Sequence, residues 1–332
     1  MNPEHQKWLD QTVEDTLNPD MPICDPHQHF WDWTNYRYFL DELLEDISGG
    51  HNIRETVFVE CRSMYRRDGP EEMKPLGETE FVHGIAAQSA SGQYGETNVA
   101  AGIVSFAALT LGAPVRPVLE AHQTASPRFR GVRHMTSFDP SEDIPNLRPF
   151  PQGLMSDTKF REGIGVLGDM GLTFDAYVYH TQLHELADLA NAFPSVTVVL
   201  NHVGGPLGIG PYAGNREQVF QFWKEGISAL AASPNVVVKI GGLVMPLSGF
   251  GWREQAIPVN SIELAEGTAP NYLHCIEQFG PERCMFESNW PVDKIACSYT
   301  VLWNALKVLT KDFSPSEQAD LFHDTAARVY RL

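Results

Sequence analysis

Val196-Thr197-Val198-Val199-Leu200-Asn201-His202-Val203-Gly204-Gly205-Pro206 is almost continuously apolar up to Leu200, then breaks into polar residues, glycine and proline. A strand with one wet face alternates apolar and polar side chains. A run without alternation fits a parallel strand buried on both faces. Residues 236–240 read the same way, and short apolar runs recur at 21–25, 56–60, 100–106, 129–133, 173–179 and 283–288. Amphipathic stretches separate them. In 181–193, Leu183, Leu186, Leu189 and Ala190 keep a 3.6-residue period, and 217–232 and 298–309 are further helices by pattern. Eight strand–helix alternations predict an α/β chain closed as a (β/α)8 TIM barrel rather than an open doubly wound sheet. The last helix opens at Ser314-Pro315-Ser316-Glu317, a capping box with proline at its first position, and is expected to run to Tyr330.

No linker divides the 332 residues, so one barrel domain over 21–332 is expected behind an N-terminal extension, 1–20. Three connections after strands, at 61–79, 203–215 and 241–268, are long and rich in Gly, Pro and aromatic residues. In a barrel they lie on the face where substrates bind, although inert surface insertions look the same in sequence. With 24 Lys+Arg against 42 Asp+Glu the net charge is −18. That field repels phosphate backbones and anionic lipid, so a small-molecule substrate is the expected partner, without nucleic acid or membrane. An anionic substrate then needs a local basic pocket. No run of 18 apolar residues is present, and 1–20 is polar and acidic, unlike a signal peptide. Cys24, Cys61, Cys275, Cys284 and Cys297 show no C-x-x-C spacing and read as reduced thiols of a cytoplasmic protein.

The sharpest local signal is Asp25-Pro26-His27-Gln28-His29-Phe30-Trp31-Asp32. Alternate residues of a strand share a face, so His27 and His29 would project together into the barrel mouth, as a divalent cation requires. His180 closes the fifth candidate strand and His202 the sixth. Core histidines satisfied by hydrogen bonds are the competing reading of all four.

Taken together, several motifs resemble the amidohydrolase superfamily in its amidohydrolase-2, lactonase-like branch. They are Asp25-Pro26-His27-Gln28-His29-Phe30-Trp31, Phe129-Arg130-Gly131-Val132-Arg133-His134, Tyr179-His180-Thr181-Gln182-Leu183, Leu200-Asn201-His202-Val203-Gly204-Gly205-Pro206, Val238-Lys239-Ile240-Gly241-Gly242 and Phe286-Glu287-Ser288-Asn289-Trp290-Pro291. The resemblance implies a distorted TIM barrel, often one divalent metal, and hydrolysis of lactones or amides; some relatives are decarboxylases and some lactonases work without metal. One position departs. The family pattern ends strand eight in Gly-Ser-Asp-Trp-Pro, with the Asp touching metal and activating water. Here Asn289 stands at the Asp, and Glu287 at the Gly. A carboxamide can coordinate through oxygen but is no general base. Glu287 and Glu60, at the end of strand two, are the candidate replacements; ion pairing with Arg62, Arg133 or Lys239 explains either carboxylate equally well. Asp293 is expected to belong to the following loop.

The expected assignment is a metal-dependent hydrolase opening a lactone, or a similar cyclic ester or amide, of a carboxylate-bearing molecule. His27, His29 and His180 would hold one divalent metal, zinc by donor type, and Asn289 leaves a metal-free site open. His202 would polarise the substrate, with Glu287 or Glu60 moving the proton. Arg62, Tyr65 and Arg133 are the expected carboxylate grip, and Trp31, Trp252 and Trp290 the walls for a ring. A non-oxidative decarboxylase and a ligand-binding barrel without catalysis remain as alternatives. A homo-oligomer is compatible with all three.

Overall fold

The computed structural model describes residues 3–34, 36–145, 148 and 150–332. Its strands are β1 (Pro22–Gln28), β2 (Trp31–Trp33), β3 (Tyr36–Tyr38), β4 (Asn52–Val59), β5 (Asn98–Ser105), β6 (Phe129–Arg133), β7 (Thr173–Ala176), β8 (Val198–Leu200), β9 (Val236–Ile240) and β10 (Cys284–Phe286). The helices are α1 (Pro3–Leu9), α2 (Leu40–Ile47), α3 (Leu76–Ala90), α4 (Arg116–Ala125), α5 (Thr158–Asp169) and α6 (Leu183–Ala192). They continue with α7 (Arg216–Ala231), α8 (Ser261–Phe279), α9 (Tyr299–Leu309), α10 (Pro315–Ala319) and α11 (Thr325–Tyr330).

Eight strands pair in parallel in the order β1-β4-β5-β6-β7-β8-β9-β10. The ends meet where Gln28 bridges Trp290: the His29 amide donates to Trp290 O at 2.7 Å and the Trp290 amide to His27 O at 3.1 Å. The chain therefore forms the predicted (β/α)8 barrel. β2 and β3 form a separate antiparallel hairpin, whose three-residue strands are too short to carry a periodic signal.

β7 and β10 stop earlier than their apolar runs, and β8 stops where its run does. β7 ends at Ala176, β8 at Leu200 and β10 at Phe286. The chain leaves the sheet there in tight turns, with left-handed φ of 53° at His202, 47° at Val203 and 53° at Asn289. His180 and His202 consequently sit in the turns after the strands rather than on them. Strand alternation likewise does not carry Glu287 and Asn289 to one face. α8 starts at Ser261, capped by the Asn260 side chain, so the third long connection is 241–260. The C-terminal helix is interrupted by a π turn at Asp320–Asp324.

The lumen is filled by Cys24, Val57, Val59, Val104, Val199, Val237 and Met285, with Ala326, Val329 and Tyr330 of the C-terminal helix inserted among them. One charged network shares this apolar space. Lys239 Nζ lies 2.9 Å from Asp175 Oδ2 and donates to Pro26 O at 2.8 Å, while the Tyr330 hydroxyl donates to Asp175 Oδ2 at 2.8 Å. Both charged groups are completely buried. The N-terminal segment straps across the outer layer: Thr12 Oγ1 donates to Pro258 O and Lys307 Nζ to Leu17 O. No helix among the described residues is long and apolar enough to cross a membrane. Removing one member of the lumen pair strands the other charge, so Lys239→Met should lower unfolding free energy by about 3–5 kcal/mol in urea titrations. A loss below about 1 kcal/mol would mean that Asp175 is satisfied without the lysine.

Candidate active site at the barrel mouth

The site begins with two segments pinned to each other. Asp25 Oδ1 accepts from the Ser288 amide at 3.0 Å, and Oδ2 accepts from Ser288 Oγ at 2.5 Å and from the Tyr299 hydroxyl at 3.0 Å. Burial pushes this carboxyl up to about 6, against the pull of the Ser288 and Tyr299 bonds. The clamp sets His27, two residues on from Asp25, beside Glu287, which precedes Ser288.

Glu287 is the centre of the cluster. Its Oε1 accepts from His202 Nδ1 at 2.6 Å and from the His202 backbone amide at 3.1 Å. Its Oε2 lies 2.6 Å from His27 Nδ1. That approach lacks hydrogen-bond alignment, so both atoms are buried without a hydrogen-bond partner. His27, His202 and Glu287 are at most 3% exposed. The two glycines after β9 make room for them: a Cβ on Gly241 would stand 2.4 Å from Glu287 Cγ, and one on Gly242 2.5 Å from His202 Nδ1. Burial, then Lys239, His202, His29 and Arg133, drives the His27 proton affinity well below that of a free imidazole. Arg133 Nη1 donates to His27 Nε2 at 3.2 Å, consistent with a neutral ring.

A second network covers the other side of His27. Arg133 Nε donates to Glu60 Oε1 at 3.0 Å and Nη2 to Glu60 O, while Arg148 donates to Glu60 Oε2. Burial alone would raise the Glu60 carboxyl, but the guanidinium groups of Arg133 and Arg148 outweigh it and hold it below the usual range. Glu60 is thus ion-paired on both carboxylate oxygens, the structural reading its sequence position also allowed. Arg133 makes one bond from each of its three nitrogens, two to Glu60 and one to His27, which fixes its orientation. Arg148, in the connection after β6, carried no motif that would have flagged it.

The four histidines do not converge equally. His29 stands beside His27, ring centroids 4.9 Å apart, and its Nδ1 donates to Val59 O at 2.7 Å. The His202 ring is 4.5 Å from that of His27. His180 accepts from the Leu207 amide at 3.4 Å and packs on Tyr212 and Phe222 at 4.9 and 6.0 Å, towards α7. The early end of β7 puts it there, outside the group gathered on Glu287. Asn289 donates its Nδ2 to Asp293 Oδ1 at 2.9 Å, so Asp293 is not a loop residue but a fully buried member of the site.

Of the expected substrate contacts, Arg62 is exposed with φ of 65°. The Tyr65 hydroxyl is buried without a partner among the described residues. Trp31 stacks between His29 at 5.8 Å and the half-exposed Trp33 at 4.1 Å. Trp252 stacks on Phe250 at 4.3 Å. Trp290 is fully buried and donates to Asp46 Oδ2 at 2.8 Å, which makes it a closing residue of the barrel rather than a pocket wall.

The open space beside His202 is about 10 Å³, lined by Tyr177, Leu207 and Gly242 among others. That holds a water and no more. A cavity of about 470 Å³ lies beyond the Pro206–Leu207 wall, between α7 and α8, and none of the clustered strand-end groups lines it.

A divalent cation fits the Glu287 cluster. His27, His202 and Glu287 each offer one ligand atom, and these lie within 4.8 Å of one another. Two imidazole nitrogens and a carboxylate, two of whose buried atoms lack hydrogen bonds, form a donor set suited to zinc.

Fold and cluster together define a barrel enzyme with a strand-end histidine–carboxylate centre. The amidohydrolase family profile matches residues 24–332, and the chain belongs to that family. It is 31% identical to the uncharacterized protein y4mH of Sinorhizobium fredii, over 94% of this chain and 99% of that one. It is 26% identical to an L-fucono-1,5-lactonase of Burkholderia multivorans, over 93% and 95% of the two chains. Among solved structures, an amidohydrolase of Burkholderia multivorans with bound zinc aligns with TM-score 0.71 and 24% identity, over 93% of this chain and 99% of that one.

The buried imidazoles also set a pH dependence. Burial lowers His180 to about 4, whereas an unfolded histidine titrates near about 6.5. Between those values the unfolded chain binds the extra proton, so stability falls as pH drops from about 6.5 towards 4. At pH 5 His180 alone should contribute about 2 kcal/mol of that loss. Urea midpoints of chelator-treated protein at pH 7 and pH 5 should show the fall, and His180→Gln should reduce it. An equal fall in the variant would show that His180 titrates normally.

Proposed function

We propose that this protein hydrolyses a lactone with water as nucleophile, and that Glu287 is the proton carrier. The observation that supports this most directly is the unequal use of its two oxygens. Oε1 is committed to His202, whereas Oε2 has no hydrogen bond. Oε2 is therefore the atom available to take a proton from the attacking water and to return it to the departing ring oxygen. The balance is that of hydrolysis: water adds its oxygen to the acyl carbon, the ring C–O bond breaks, and a hydroxy acid leaves.

His202, oriented through Nδ1, would polarise the substrate carbonyl, and the cavity of about 10 Å³ beside it must widen to admit that group. Arg133 and Lys239 place positive charge beside the cluster, which favours the negative charge developing on that oxygen. A divalent cation, zinc by donor type, would be held by His27, His202 and Glu287 and would supply Lewis-acid polarisation and more acidic water; bound through Oε2, it would take that oxygen out of the proton transfer. Sugar lactones are the first substrates to try. The L-fucono-1,5-lactonase and an L-rhamnono-gamma-lactonase of Scheffersomyces stipitis, 24% identical over 87% of this chain and 79% of that one, both bear names for that chemistry.

In labelled water, aldonolactones should give a hydroxy acid carrying one labelled carboxylate oxygen. Glu287→Gln should lower kcat by about 10²-fold or more, and His27→Ala should abolish turnover. Carbon dioxide release from a carboxylated substrate, without label in the product, would replace hydrolysis by decarboxylation. Wild-type rates in Glu287→Gln would remove this residue from the chemistry.

A further inference from the structure

The void of about 10 Å³ beside His202 and the cavity of about 470 Å³ between α7 and α8 share part of their lining. Pro206, Leu207 and Ser248 border both, so at these positions the partition is one residue thick. The void must widen before a lactone carbonyl can reach His202, and a close-packed wall gives way most easily where open space lies behind it. Elsewhere the void is bounded, among others, by Tyr177, packed edge-on to the His202 ring at 5.4 Å, and by Tyr179, whose hydroxyl donates to Pro145 O at 2.9 Å. The direction in which it can open is therefore towards the large cavity.

Of the three shared residues, one can retreat without breaking a bond. Pro206 has its side chain tied back to its own backbone. Ser248 Oγ lies 2.6 Å from Leu243 O and 2.7 Å from Met245 O, so its hydroxyl is committed. Leu207 carries no polar side-chain atom and has several staggered rotamers open to it. Its backbone stays in place: the Leu207 amide donates to His180 Nδ1 at 3.4 Å and the Gly208 amide to Leu247 O at 2.8 Å. What moves is the isobutyl group alone, which exchanges its packing on Tyr177 and Tyr179 for the apolar lining of the outer cavity.

Beyond the partition, Val219, Phe220, Phe250 and Pro270 continue that lining. Arg216 lies over the Phe250 ring at 4.1 Å and donates to Gly249 O at 2.9 Å, which holds it against the wall, and Glu217 is exposed to solvent. A cavity of this size and lining suits a hydrocarbon chain or ring and has few partners for the hydroxyl groups of a sugar. We propose that Leu207 is a specificity-determining residue: its side chain turns into the outer cavity, joins that cavity to the void beside His202, and opens it to an alkyl or aryl substituent on the lactone. This rests on the proposed hydrolysis, whose ring opening takes place at His202 and Glu287 whatever the ring carries. A polyhydroxylated ring leaves the outer cavity unused.

A pair of lactones tests it. Compared with δ-valerolactone, the same ring carrying a hexyl chain on the carbon beside the ring oxygen should show kcat/KM higher by about 10²-fold or more. Val219→Trp, which fills the cavity from α7, should bring the ratio of the two values close to 1, and Leu207→Trp, too bulky to clear the opening, should lower it as well. The ratio is internal to each variant, so it does not depend on how much active protein is recovered. A ratio near 1 in the wild type, or one unchanged in both variants, would overturn the proposal and leave the hydrolysis standing. A second readout needs no turnover. Crystals of the wild type soaked with the δ-lactam bearing the same hexyl chain should show the chain in the outer cavity and Leu207 in a new rotamer. A chain lying elsewhere, no bound lactam, or Leu207 unmoved would overturn the proposal. If the wild type hydrolyses neither lactone, the functional reading falls, and the lactam structure still decides the role of Leu207.

Discussion

A single buried carboxylate, Glu287, organises the mouth of this barrel. Taking a carboxylate out of water costs several kcal/mol unless partners replace the lost hydration. Here the replacement is asymmetric: two N–H groups of His202 satisfy one oxygen, while the other faces His27 without a hydrogen bond. An apolar neighbour in place of His27 would leave that oxygen with no polar group facing it at all. The rest of the mouth keeps the arrangement rigid. Asp25 fastens the strand bearing His27 to the segment bearing Glu287, and Gly241-Gly242 vacate the space that their side chains occupy.

The positive groups around the cluster answer a different need. The chain carries −18 overall, a field that opposes any anion approaching the mouth. Arg133, Arg148 and Lys239 are all buried close to the strand ends. Arg133 and Arg148 are held by Glu60, and Lys239 by Asp175 and Pro26 O. Fixed in this way, they present charge without needing to move when chemistry begins, which is the condition for preorganised electrostatic stabilisation. A guanidinium consumed by Glu60 is a poor clamp for a substrate carboxylate but a good source of field.

How much of this was legible in the sequence follows from what each feature depends on. All eight barrel strands showed, because a strand buried on both faces is apolar at most positions, as Val236–Ile240 is except at Lys239. The histidines showed as residue types closing such runs. Their convergence did not, because side-chain direction at a strand end depends on where the pleat stops. Two positive-φ residues, His202 and Asn289, turn the chain before alternation can be extended to them. For His180 the sheet is left earlier still, at Ala176, four residues before it. Arg148 and Asp293 were hidden differently: each matters through a partner distant in sequence or across a turn, Glu60 for one and Asn289 for the other, and neither partner imposes a spacing rule.

The exchange at strand eight is best understood as charge placement. Asp25, Glu287 and Asp293 already crowd three carboxyl groups around one strand end, and burial raises Asp25 to about 6 and Asp293 well above the usual range. Glu287 is among the groups that raise Asp293. A fourth carboxylate at position 289 would face 293 directly and be repelled by it. A carboxamide removes that repulsion and converts the contact with Asp293 into a hydrogen bond. The carboxylate has in effect moved two residues along the chain, from 289 to 287, where two imidazoles meet it. The carboxamide at 289 thus sits beside Asp293 through a hydrogen bond where a carboxylate would be repelled.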